Sequence, residues 1–447
     1  MKAIAQPIGL RERVLLVGVG VKRASRIPGV QAGEAERESL RELDELARSA
    51  GADVAGSVLQ VRDAIDPATL VGRGKLEEVK AEALMRKASL VIFDRDLSPV
   101  QLRNIERATA CRVIDRTQLI LDIFARHAHS REGQMQVELA QLNYLLPRLA
   151  GRGIEMSRLG GKSGSMSGGI GMRGPGEQKL ETDRRRIRDR VRKIEQGIER
   201  IRRQRSIRRQ ARQAVPLGTV ALVGYTNVGK STLFNALTRA GVVTSPRMFA
   251  TLDPTVRAVR LPSNRRVLLS DTVGFIRELP PGLIAAFRAT LEEVQESALL
   301  LHIADVSDPR HVEQAAEVEK VLAELGVEDR LRLHVFNKMD LLPAEEAAAL
   351  RAHNGNVYVS ALKGTGLSEL LRRIDEVLPV DPTVRVELEL PLADGRTLAL
   401  IYACGRVHRS EVRDSYMWLD AEVPESLARR LRQPLLEASD WSGSGQL

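Results

Sequence analysis

Gly224-Tyr225-Thr226-Asn227-Val228-Gly229-Lys230-Ser231 follows an apolar run from Thr219 to Val223 and leads into a helix-forming stretch, Thr232 to Leu237. Phosphate binding needs that order of strand, loop and helix. The glycines let the backbone curl until successive N–H groups converge on phosphate oxygens, and the helix adds its positive N-terminal end. Lys230 is expected to pair with the outer phosphates and Ser231 to hold magnesium, so Gly224 through Thr232 are read as nucleotide contacts.

A phosphate loop does not distinguish ATP from GTP, so the base reader must lie further along. Asn337-Lys338-Met339-Asp340 closes the predicted strand Leu333 to Phe336. A carboxylate at Asp340 accepts from both N1–H and the exocyclic amine of guanine, a donor pair that adenine lacks. Ser360-Ala361-Leu362, after the strand Asn356 to Val359, is read as the supporting guanine loop. Between these ends, Asp271-Thr272-Val273-Gly274 follows the strand Val267 to Ser270. Asp271 is expected to reach magnesium through water, and the Gly274 N–H to sense the γ-phosphate. In Phe249-Ala250-Thr251, Thr251 is the expected first-switch threonine that closes over magnesium. The predicted catalytic set is Lys230, Thr251 and Gly274; the predicted metal set is Ser231, Thr251 and Asp271.

The residue after Gly274 is Phe275, where small signalling GTPases carry a water-orienting glutamine. An apolar side chain does not orient water, so slow intrinsic hydrolysis is expected, with help from a partner surface, another side chain or a cation. Asn227 resembles the asparagine of potassium-activated GTPases, in which a monovalent cation replaces an arginine finger; its alternative role is loop hydrogen bonding alone.

At 447 residues the chain has room for about three domains. Its two cysteines, Cys111 and Cys404, have neither metal-ligand nor redox spacing and fit a reducing compartment. No apolar run approaches membrane-span length and Met1 to Arg11 lacks an apolar signal core, so a cytoplasmic, monomeric protein is expected. The net charge of +10 is concentrated in one segment. Gly151 to Gln213 carries 19 Lys and Arg against 7 Asp and Glu, leaving the remainder close to neutral. Such a concentration predicts a polyanionic partner, nucleic acid or an anionic membrane surface met peripherally.

The expected architecture is multidomain α/β. Residues 1–118 alternate strand and helix signals, as a mostly parallel sheet would. Two glycine pairs there, Gly18-Val19-Gly20 and Gly72-Arg73-Gly74-Lys75, are expected to make tight turns, with a weak anion site at the second as the alternative. Residues 119–214 form a helical coiled-coil hairpin. Met135, Leu139, Leu142, Leu146 and Leu149 keep a four-three rhythm matched by Ile187, Val191, Ile194, Ile198 and Ile201, and Pro147 is expected to kink the first helix or end it early. Residues 151–176 between them hold 10 glycines with interspersed bases, a loop suited to close approach to a rugged anionic surface. Residues 215–380 form the GTPase domain, a mostly parallel sheet with helices on both faces. Residues 381–447 form a small α+β domain that opens with a β-hairpin: Val384 to Leu390, a turn at Ala393-Asp394-Gly395, then Leu398, Leu400 and Tyr402.

The chain resembles the HflX GTPases. The resemblance is carried by Gly174-Pro175-Gly176-Glu177 with Leu180-Glu181-Thr182-Asp183-Arg184-Arg185, then the phosphate loop, Phe249 to Thr255, and Asp271 to Gly274. It implies a ribosome-associated GTPase whose N-terminal domain and hairpin engage the large ribosomal subunit, with the glycine-rich loop at ribosomal RNA. Some members of that family split stalled ribosomes. Two other readings stay open: a signalling or assembly GTPase whose hairpin binds protein or membrane, and a GTP-binding scaffold that hardly hydrolyses.

Overall fold

The computed structural model describes residues 12–21, 33–149, 175–213, 218–238, 248–249, 251, 254–277, 293–351, 356–378, 383–425, 427–429 and 431. The N-terminal elements are β1 (Arg13–Val21), α1 (Glu34–Ser49), β2 (Asp53–Arg62), α2 (Arg73–Met85), β3 (Leu90–Phe93), α3 (Pro99–Thr109), β4 (Arg112–Asp115), α4 (Arg116–His127) and α5 (Arg131–Arg148). Strand order is β2-β1-β3-β4 with every pair parallel, the sheet the alternating pattern predicts. β1 and β3 are buried on both faces, which is why they read as continuous apolar runs.

Gly18 and Gly20 lie inside β1, where tight turns were expected. A Cβ on Gly18 would stand 2.7 Å from Leu40 Cγ, and one on Gly20 2.4 Å from Glu36 Cγ, so these glycines let α1 close down on the strand. Gly72 is the N-cap of α2, and its N–H donates to Gln60 Oε1 at 3.0 Å.

α6 (Pro175–Gln213) runs antiparallel to α5: Arg190 clamps Glu138 with two bonds of 2.7 Å, while Gly197 faces Met135. Ile187, Ile194 and Ile198 are buried and Val191 and Ile201 half-buried, so the predicted seam is the packed one. On α5 the predicted seam residues are mostly half-buried because this helix has two neighbours. Val137 and Ala140 face the core shared with α4, and Met135 and Leu139 belong to the other side. Pro147 sits in the last turn, and α5 stops one residue later.

The GTPase region continues through β5 (Gly218–Gly224), α7 (Lys230–Thr238), β6 (Thr255–Arg260), β7 (Arg266–Asp271), β8 (Leu299–Asp305), α8 (His311–Glu324), β9 (Arg332–Asn337), α9 (Ala344–Arg351), β10 (Val357–Tyr358) and α10 (Leu367–Val377). Its sheet is ordered β10-β9-β8-β5-β7-β6, parallel except for β6. The first turns after β5, β7 and β9 therefore emerge at one edge, where an open α/β sheet takes its ligand.

The last unit is β11 (Thr383–Pro391), α11 (Gly395–Cys404), β12 (Arg406–Arg413) and β13 (Tyr416–Pro424), with strand order β11-β13-β12, all antiparallel. Leu398, Leu400 and Tyr402 belong to a helix here, which overturns the predicted hairpin. Asp394 caps that helix by accepting from Thr397 N at 3.1 Å, so the apparent turn is a helix start. Ile401 is fully buried with Leu398 and Leu400 packed on the same cluster, whereas Tyr402 is exposed. Three alternating apolar residues are too few to separate the two periods. The hairpin is formed instead by β12 and β13; β12, nearly all polar and exposed, has no apolar pattern to read.

Candidate nucleotide site

The loop from Gly224 to Ser231 is shaped by backbone positions that only certain residues tolerate. Gly224 has φ +154°, and a Cβ there would lie 2.3 Å from Ile303 O of β8. Gly229 has φ +91°, and its Cβ would lie 2.3 Å from Asn337 Nδ2. Asn227 adopts φ +61°, the left-handed region that asparagine enters more readily than most side chains. Lys230 opens α7, is 6% exposed, and donates from Nζ to Gly224 O at 3.0 Å and Tyr225 O at 2.5 Å. Burial lowers its pKa to about 8, although the charge on Asp271 pulls the other way.

Asp271 ends β7 and is fully buried. Its Oδ2 accepts from Ser231 Oγ at 2.7 Å and Thr251 Oγ1 at 3.1 Å, and those two hydroxyls lie 2.7 Å apart. Burial pushes its pKa up, opposed by the Ser231 bond and by Lys230. Three residues from three separated motifs thus converge on one point. Gly274 lies flat on the phosphate loop: a Cβ there would come within 2.9 Å of Thr226 Cα and 3.0 Å of Lys230 Nζ.

On the guanine side, Asn337 Nδ2 donates to Val228 O at 2.8 Å and Asn337 Oδ1 accepts from Ala361 N at 2.9 Å. One buried amide therefore ties the phosphate loop to both base-reading loops. Ser360 Oγ donates to Asp340 Oδ1 at 2.6 Å, aligning the carboxylate that would read the base. Lys338 has φ +63° and pairs with Asp305 at 2.6 Å. Met339 is buried beneath the loop and Leu362 is exposed at its rim.

Other predicted contacts face away from this centre. Thr272 spends its hydroxyl on Leu222 O at 2.5 Å, and Val228 and Val273 fill the core. Phe249, with φ +59°, packs its ring edge-on against Phe124 of α4 at 4.5 Å. Thr232 is half-buried in the first turn of α7. Ala250 lies outside the described residues.

Sequence reading missed the N-terminal residues that meet this site. Tyr225 turns its phenol away from the phosphate seat and donates to Glu42 Oε1 of α1. Glu42 Oε2 accepts from Arg116 Nη2 at 2.5 Å, and Arg116 Nη1 donates to Asp94 at 2.8 Å. Arg310 reaches Glu38 at 2.7 Å, and Met248 N donates to Ser49 Oγ at 2.9 Å. Glu42 and Tyr225 are 183 residues apart, so no local signal pairs them. Asp305 was findable, since it stands at the end of a parallel strand beside the one bearing Asn337.

Comparison with known proteins agrees with this geometry. Family models match in series along the chain: "GTP-binding GTPase N-terminal" over 37–125, "GTP-binding GTPase Middle Region" over 127–212 and "50S ribosome-binding GTPase" over 219–338. The chain is 45% identical to GTPase HflX of Caldanaerobacter subterraneus subsp. tengcongensis, over 89% of this chain and 90% of that protein. It is 41% identical to GTPase HflX of Escherichia coli K12, over 91% of each. Among solved structures, a GTP-binding protein from the hyperthermophilic archaeon Sulfolobus solfataricus in complex with GDP is similar at 25% identity and a TM-score of 0.41, covering 81% of this chain and 98% of that one. The family models together span 37–338, the HflX relatives cover about nine-tenths of the chain, and the chain belongs to the HflX family of GTPases, which bind and hydrolyse GTP.

Proposed function

We propose that this GTPase is a switch working on the large ribosomal subunit in the cytoplasm, held there by the basic hairpin and able to split or rescue stalled ribosomes under stress. The observation that carries the reading is the placement of charge. The excess of 12 positive charges in 151–213 is borne largely by a 39-residue helix packed antiparallel on α5, in the same chain as the nucleotide site. The glycine-rich stretch 151–174 that joins the helices lies outside the described residues. A polyphosphate such as ribosomal RNA suits arginines in this density, and the description of the family model over 219–338 points to the same partner. Binding to purified large subunits should weaken steeply with added salt and fail when 151–176 is deleted. Insensitivity to both would favour a protein or membrane partner.

Asp271, Ser231 and Thr251 would hold Mg2+. They present oxygen donors only, and among the described residues Asp271 Oδ1 is buried without a partner, the situation of a group awaiting a hard cation. Held there, the ion would supply charge neutralisation for the phosphates. Phe275 is buried at 2% exposure and orients no water, so hydrolysis waits on outside help. Asn227 would supply that help by holding K+, tested by comparing turnover in potassium and sodium. Among the described residues no helix is long and apolar enough to cross a membrane.

A further inference from the structure

The phosphate loop is bonded on two sides by groups that are not nucleotide. On one side it pairs with the second switch like a short strand. Phe275 N donates to Gly224 O at 3.1 Å, Thr226 N donates to Phe275 O at 2.7 Å, and Tyr225 and Phe275 form a parallel bridge. The Thr226 amide is therefore spent on protein, although a phosphate loop works by turning its amides toward phosphate. Gly274 rests on Thr226 and Lys230 in the same arrangement. For the Gly274 N–H to meet a γ-phosphate that also touches Lys230, this ladder must part.

On the other side stands the N-terminal domain. The Tyr225 hydroxyl accepts from Arg277 N at 2.9 Å and donates to Glu42, so one oxygen bonds the second switch and α1 simultaneously. Glu42 is held in turn by Arg116, and Arg116 by Asp94. All four side chains, Tyr225, Glu42, Arg116 and Asp94, are 8% exposed or less. Asp94 and Arg116 follow β3 and β4, at the edge where an open parallel sheet ordinarily receives its ligand; here Arg116 is met by Glu42 of α1, the partner of the phosphate-loop tyrosine. Beside them is a cavity of about 160 Å³ between α1 and the phosphate loop, lined by Glu42, Glu45, Tyr225, Asn227, Arg310 and Lys338. Buried polar chains of this kind are favourable only while every member is satisfied.

We propose that Tyr225 and Glu42 are positioning residues that set the preference between GDP and GTP: their bond keeps Arg277, and with it Gly274 and Phe275, zipped to the phosphate loop in the GDP state. GTP opens the ladder, withdraws Arg277 N from Tyr225, and loosens the grip of the phosphate loop on α1. The proposal rests on guanine-nucleotide binding and is independent of the ribosomal reading, so it is tested without ribosomes.

The test uses the full chain with Tyr225→Phe, Glu42→Leu and the double variant. Fluorescent GDP and a non-hydrolysable imido analogue of GTP give the ratio of Kd for the analogue to Kd for GDP. Each single variant should lower that ratio by roughly ten-fold, one hydrogen bond to a charged group, and the double variant should go no further because both remove the same bond. An unmoved ratio in both singles, or effects that multiply in the double, would overturn the proposal. If Tyr225→Phe lowers the unfolding midpoint too far to be read, Glu42→Leu carries the test, since it lies outside the phosphate loop and leaves Arg116 with Asp94. Independently, α1 amides of the unaltered chain should exchange faster with the analogue bound than with GDP, and equal exchange would contradict the mechanism.

Discussion

Asn337 Nδ2 donates to Val228 O at 2.8 Å, so the first residue of the base-reading motif holds the phosphate loop from behind. Its Oδ1 meanwhile takes Ala361 N, and the side chain is 2% exposed. Replacing Asn337 with Ala leaves a buried carbonyl and a buried amide without partners. Two such bonds at about 1 kcal/mol each predict a loss in GDP affinity of about 10- to 100-fold, measurable by calorimetric titration. An unchanged affinity would mean the loops hold their shape unaided.

In the proposed site Asp340 would read the base by accepting from guanine, with its Oδ1 steadied by Ser360. Asp340→Asn turns part of that acceptor into a donor. Guanine nucleotides should bind at least about a hundred-fold more weakly, while xanthine nucleotides, which carry a carbonyl in place of the exocyclic amine, should bind better than guanine ones. Competition between the two diphosphates decides it.

Lys230 gives a pH dependence whose sign can be worked out. Burial lowers its pKa in the free protein to about 8, below the unfolded value near 10.5. Below pH 8 it is charged in both states and its burial costs stability; as pH rises from 8 toward 10.5 the folded form is neutral first, so this group's contribution to stability increases. Phosphates favour the charged form, so nucleotide binding draws in a proton above pH 8. GDP affinity should be flat between pH 6.5 and 7.5 and fall by up to about ten-fold per unit above 8. Titration in two buffers of different ionisation enthalpy detects the proton uptake, and its absence at pH 9 would contradict the assignment.

The hairpin offers two substitutions of contrasting size. Ile194 is 2% exposed in the seam between α5 and α6, so Ile194→Ala should cost about 2–5 kcal/mol in the stability of that unit, read by amide exchange along α6. Arg190 and Glu138, both substantially exposed, form a surface pair whose loss costs about 1 kcal/mol or less. GDP affinity should be unchanged in either variant.

How much of this was legible depended on how local each signal was. The alternation of strands and helices in the N-terminal region, and with it a parallel sheet, followed from periodicity, because each apolar face repeats within its own element. The Ser231–Thr251–Asp271 cluster followed from motif order, since a fixed fold brings those positions together. Helix α11 was misread because Leu398, Leu400 and Tyr402 alternate as a strand would, while the helical pair Leu398 and Ile401 lies in the same short stretch, and packing around Ile401 chooses. β12 was invisible because an exposed edge strand needs no apolar pattern. The grip of Glu42 on Tyr225 lay beyond sequence reading altogether, being a contact between two domains with no periodicity linking them.

An outside partner docked through the basic hairpin is proposed to set the pace of this GTPase. The most direct test is steady-state GTP turnover with and without purified large ribosomal subunits, for the full chain and for the chain lacking residues 151–176. The account predicts low turnover without subunits, strong stimulation with them, and loss of that stimulation in the deleted chain. Equal turnover with and without subunits, or full stimulation of the deleted chain, would contradict it.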